Sequence, residues 1–146
     1  MAFQLTNVAQ NPMPVGVVGP SPVQLADQTF TTTKTTTAVQ TLPQPATRIR
    51  AVVYIKTQVL GATTTAGSGP IFYLEAADVS AMTTGLTAGA IQQAANVASA
   101  TEVQCLTLDL VVPTTTSKGF ARVVVDPTLM GAGSSGTYDV VIQSVV

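Results

Sequence analysis

The residues able to carry acid–base, nucleophilic or metal chemistry in this chain are few and dispersed. Seven acidic and six basic side chains, one cysteine and no histidine are spread over 146 residues. The carboxylates worth weighing as pairs are Glu75 with Asp78, and Asp109 with Asp126 or Asp139. Glycoside hydrolysis needs two such groups facing each other across a cleft. Nothing in their spacing brings them together, and aromatic residues, which would stack on sugars, make up only 5% of the chain. Asp126 and Asp139 with loop carbonyls would offer calcium the oxygen ligands it accepts, but the dense Asp/Asn-Gly loop usual for that ion is missing. The stretch Gly131-Ala-Gly-Ser-Ser-Gly136 looks superficially like a phosphate cradle. It lacks the Gly-Lys-Ser/Thr ending between strand and helix that such a loop requires, so a turn is expected. The carboxylates read as solvated strand-end charges. No catalytic residue, metal ligand or cofactor is expected, and the chain does not read as an enzyme.

Cys105 sits inside an alternating apolar pattern, and the expectation is a small half-buried hydrophobe, with a reactive or intersubunit thiol as the alternative. A single cysteine rules out a disulfide within the chain. Charged residues are only 9% and the formal net charge is −1. Lys34, Arg48, Arg50, Lys56, Lys118 and Arg122 form no dense basic stripe, so direct nucleic-acid binding, which needs clustered cations, is not expected. No apolar run of about 18 residues suggests a membrane span, and no positively charged start followed by an apolar run suggests a signal peptide. A weakly charged Thr/Ser/Gln surface suits a chain packed against other copies or a larger body.

The elements around these residues read as strands. Threonine, valine and isoleucine are abundant, and β-branched side chains favour pleated, half-buried surfaces. Over Arg48–Leu60, Ile49, Ala51, Val53, Ile55, Thr57 and Val59 share one parity, while Arg48, Arg50 and Lys56 share the other. Period-two alternation predicts a strand with one face on a core. Arg48 and Arg50 then face outward, as a solvated face or a contact to an acidic neighbour. Further strands are expected at Ile71–Glu75, Val103–Val112, Phe120–Val125 and Tyr138–Val145. Residues 76–100 read as a loop with one helical turn or short helix. Several short strands joined by Gly/Pro/Thr turns predict an all-β fold, an antiparallel β-sandwich or jelly roll over residues 47–146. In it the Leu106/Leu108/Leu110 row is expected to pack against Ile49/Val53/Ile55 and Val140/Ile142.

Residues 1–46 differ. Pro12, Pro14, Pro20, Pro22, Pro43 and Pro45 break helices and ladders and favour extended chain. One reading is a loose leader followed by an edge strand near Thr29–Thr37. The other is an extended arm that orders across a neighbouring subunit, anchored by Phe3, Leu5, Val15, Val17, Val18, Val23 and Leu25.

The run Leu106-Thr-Leu-Asp-Leu-Val-Val-Pro113, followed by Lys118-Gly-Phe-Ala-Arg-Val-Val-Val125 and Gly133-Ser-Ser-Gly-Thr-Tyr-Asp-Val-Val-Ile142, resembles the capsid cement or decoration proteins of tailed bacteriophages. The resemblance covers roughly residues 48–146, and the Pro-rich leader departs from the compact members of that family. It implies a jelly-roll-like sandwich on the outside of an assembled shell, often a trimer at local three-fold positions, bridging major capsid protein subunits. It carries no catalytic residues. The protein would be made in the host cytoplasm and reside on the virion surface. Alternatives are another virion component (head-fibre base, neck or tail protein) or, further off, a surface adhesin module.

Overall fold

In Arg48–Val59 the longest run of alternating β-branched residues becomes the longest strand, with Ile49, Ala51, Val53 and Ile55 fully buried. The computed structural model describes residues 23–42, 48–59, 69–95, 104–112 and 118–145. Its strands are β1 (Val23–Phe30), β2 (Thr35–Thr36), β3 (Gln40–Thr41), β4 (Arg48–Val59), β5 (Ile71–Ala77), β6 (Thr87–Ala88), β7 (Gln92–Gln93), β8 (Gln104–Val111), β9 (Phe120–Asp126) and β10 (Ser135–Val145). A single 3-10 turn, Thr128–Met130, links β9 to β10.

Two antiparallel sheets form a sandwich. One has the order β1-β10-β4-β8; the other runs β2-β9-β5-β6, with β3 also on β9 and β7 also on β5. β2 and β3 follow one another along β9 with a one-residue slip, and β6 and β7 do the same along β5. Counting each couple as one interrupted strand leaves eight. Their order is first-eighth-third-sixth in one sheet and second-seventh-fourth-fifth in the other, which is the jelly-roll arrangement.

The core lies between the sheets. Leu108, Leu110, Val140 and Ile142 are buried as expected, while Leu106 is half-buried against the cluster. Their expected opposition is corrected. The Leu106/Leu108/Leu110 row, Ile49/Val53/Ile55 and Val140/Ile142 are side-by-side neighbours in one sheet. The opposing layer comes from Phe72, Leu74 and Ala76 of β5 and Ala121, Val123 and Val125 of β9. Alternation tells which residues point inward but not which strands are hydrogen-bonded neighbours.

Three aromatic rings tie the layers together. Phe72 meets Tyr138 edge-on at 5.3 Å and Phe30 at 6.4 Å, so a β5 ring wedges between rings of β10 and β1. Gly136 makes room for this group, since a Cβ there would lie 2.3 Å from Cζ of Phe30.

The sheet edges are not left open equally. Gly89 sits so close to β8 that a Cβ would fall 2.6 Å from the Asp109 carbonyl oxygen. The Gln104 amide brackets Ala95, accepting from its N–H at 2.9 Å and donating to its carbonyl at 3.2 Å. These contacts hold the segment around β6 and β7 against the β8 edge, which blunts that edge as a template for strand addition.

Two expectations shift. Among the described residues of 76–100 there is a turn and two short strands, and no helical turn. Val23 and Leu25, expected as arm anchors, belong to β1 and pair with Ile142 and Val140. The described sheets therefore begin at Val23 rather than at residue 47. Phe3, Leu5, Val15, Val17 and Val18 lie outside the described residues.

Candidate assembly surface

The outward residues of β1, β10, β4 and β8 make one broad sheet face, and two ion clusters stand on it. At one end Arg48 and Arg50, on the outward parity of β4, share Asp109 of β8. Their Nε atoms lie 3.3 and 3.1 Å from its Oδ1. This places both sequence-predicted arginines on one acid of their own chain. The Arg50 guanidinium, with Arg48 beside it, holds the Asp109 carboxyl below its ordinary range.

The second cluster is a product of two β-bulges. The β1–β10 register slips between Leu25 and Gln28, and the β10–β4 register slips between Thr137 and Tyr138. A bulge adds one residue and re-aims its neighbours. On β1 the added stretch carries Asp27 at φ 54, a left-handed conformation that aspartate tolerates better than most residues. On β4 it carries Lys56. Both are turned toward Asp139 of β10. Lys56 Nζ donates to Asp139 Oδ1 at 2.9 Å and also to Asp27, whose own backbone N–H donates to Asp139 Oδ1 at 2.8 Å. Bonding to Asp27 and then Asp139 raises the Lys56 pKa, and Lys56 in turn holds Asp139 low.

Between the clusters the face is apolar and hydroxylic. Val52 and Val141 are half-buried neighbours, Tyr54 is 38% exposed and Thr107, paired with Val52, is exposed, while Thr57 and Thr137 join hydroxyls at 2.8 Å just beyond the Lys56 cluster. Cys105 pairs with Tyr54 and is exposed, against the expectation of a half-buried hydrophobe. The reason is parity: the apolar row of β8 occupies Leu106, Leu108 and Leu110, which puts Cys105 outside with Thr107.

The remaining described charges belong to the other sheet and its turns. Arg122 donates to Glu75 at 2.7 Å, and Lys118 to Asp78 at 3.0 Å, so Glu75 and Asp78 each face a cation and not one another. Lys34 stands 5.7 Å over the Tyr73 ring. Asp126 is held low chiefly by the Thr128 hydroxyl and accepts from the Thr128 backbone N–H at 3.0 Å, at the start of the short 3-10 turn. Asp109, Asp126 and Asp139 are thus separately engaged. Gly131–Ser134 is a turn that leads into β10. Among the described residues no group of three or more His, Cys, Asp or Glu side chains is placed to hold a metal ion, and no helix is long and apolar enough to cross a membrane.

These environments predict a pH profile. Burial pushes the Tyr138 hydroxyl up from 10.0 to about 12. A group whose folded pKa is raised contributes stability that is complete below its unfolded pKa and is lost as pH rises toward the folded one. Stability is therefore expected to fall by about 2–3 kcal/mol between pH 10 and 12. Tyr138→Phe should flatten that limb in urea titrations at each pH. The lowered carboxylates act oppositely, stabilising above about pH 4 and losing this as pH falls. Their exposure to solvent keeps that term small.

No family model, curated protein or solved structure matches this chain.

Proposed function

We propose that this protein is a virion structural protein that binds the outside of an assembled phage capsid and cements neighbouring subunits of the major capsid protein. The observation that carries this reading is the pairing of charge on a jelly-roll sandwich. Every Lys and Arg of the chain is engaged by a partner within it. Shared ions of this kind, with a formal net charge of only −1, leave the sandwich a weakly charged surface. Such a surface makes many weak contacts. Repeated over a shell, each further contact becomes effectively intramolecular, and weak contacts then hold firmly. The chemistry is mechanical: no bond is made or broken, and the shell gains stability because this protein binds its assembled form.

In this reading the protein acts as a homo-oligomer, the trimer that the family resemblance implies, at positions where capsid subunits meet. Electron microscopy of particles carrying the chain tests it: a sandwich seated across capsid subunit boundaries is expected on the outer surface.

A further inference from the structure

We infer that the outer face of the four-stranded sheet is a self-complementary docking surface for a second copy of this chain, related by a two-fold axis lying in the plane of contact. The argument is the charge pattern. At one end of the face two cations, Arg48 and Arg50, share one anion, Asp109, leaving a local charge of +1. At the other, one cation, Lys56, is shared by two anions, Asp27 and Asp139, leaving −1. Both clusters reach solvent: the Arg48 and Arg50 side chains are 48% and 47% exposed, and that of Asp27 is 82% exposed. Arg50 and Lys56 lie about 20 Å apart along β4 at the usual strand rise. Val52, Val141 and Tyr54 occupy the ground between them.

A two-fold axis across the middle of the face, near Val52 and Tyr54, exchanges its two ends. Each positive cluster then meets the negative cluster of the other copy, and this happens twice in each pair. The valines and tyrosines meet at the centre. Charges placed this way fix register and partner more than they add affinity. The second copy is the occupant because it carries the matching pattern at the matching spacing.

The size of the face sets the strength. Four strands at about 4.8 Å spacing and about eight residues at 3.3 Å rise cover roughly 500 Å². A pair buries about 1,000 Å², the low end for specific interfaces, so the contact is weak singly and effective in an array. It stands on this face alone, separately from the three-fold grouping and from the shell reading.

The test is a mixing experiment with two full-length variants in sedimentation equilibrium. Arg48→Glu/Arg50→Glu makes the positive cluster three carboxylates, −3, and Asp27→Lys/Asp139→Lys makes the negative cluster three ammonium groups, +3. Alone, each variant opposes like charge to like and is expected to self-associate less than the native protein. Mixed, they oppose −3 to +3 and −1 to +1, and should associate roughly tenfold or more tightly than native. Tyr54→Ala, which removes the central ring and adds no charge beside its cross-strand partner Asp139, should weaken native association. Thermal melts check that each variant folds. If a double variant does not, Arg50→Glu and Asp139→Lys carry the mixing test with clusters of −1 and +1: each alone should associate less than native, and the mixture should return to native strength. A mixture no tighter than its separate components, or native association that survives Tyr54→Ala, overturns the inference.

Discussion

Replacing Phe72 with alanine is expected to remove about 3–5 kcal/mol of folding stability, because the ring is fully buried and is the β5 member of the aromatic group spanning both sheets. Truncation loses the transfer free energy of the ring and leaves a cavity between Phe30 and Tyr138, which come from the other layer. Neither ring can follow it, as each is anchored in its own strand. Domains of this size have roughly 5–15 kcal/mol in total, so the variant should lose a large share of its stability. Urea denaturation measures the loss. A change below about 1 kcal/mol, the size of an ordinary surface substitution, would mean that the two layers do not meet through this ring.

The second large effect tests register. Leu108→Ala is expected to cost about 2–5 kcal/mol, while Thr107→Ala, one position earlier on the same strand, should stay within about 0.5 kcal/mol. Leu108 is fully buried and Thr107 exposed. In a strand, a slip of one residue exchanges the two faces completely. Reversed costs in denaturation would therefore invert β8 and every residue paired with it, including the placement of Asp109 beside Arg48 and Arg50.

That pair of residues also marks how far the sequence could be read. Inward parity was legible wherever β-branched and leucine residues alternate without interruption, as in Arg48–Ile55 and Leu106–Val112. It failed after Ile55, where Gln58 is buried and Val59 is 55% exposed. Continued alternation would place Thr57 and Val59 inside; the bulge at Lys56 inserts a residue and inverts the faces beyond it. Nothing in the residue types of Lys56-Thr-Gln58 announces a bulge, since its cause is the partner strand β10. The same holds for Asp27, whose left-handed backbone is set by pairing with β10. The Lys56–Asp27–Asp139 cluster was therefore out of reach of sequence reasoning, although each of its members is a charged residue among apolar ones. The Arg48–Arg50–Asp109 cluster was half visible: outward parity was readable for each residue, but not that β4 and β8 are neighbours. Strand adjacency depends on contacts between distant segments, and a local pattern does not encode them.

The proposed cement role rests on the jelly-roll strand order and on cations held by partners within the chain. The most direct measurement is electron microscopy of native particles that carry the chain, at a resolution where strands separate. The account predicts eight-stranded sandwiches on the outer surface of the shell, in many symmetry-related copies, each bridging the boundary between capsid subunits. Density for the chain confined to a neck, tail or fibre, or found inside the shell, would contradict it.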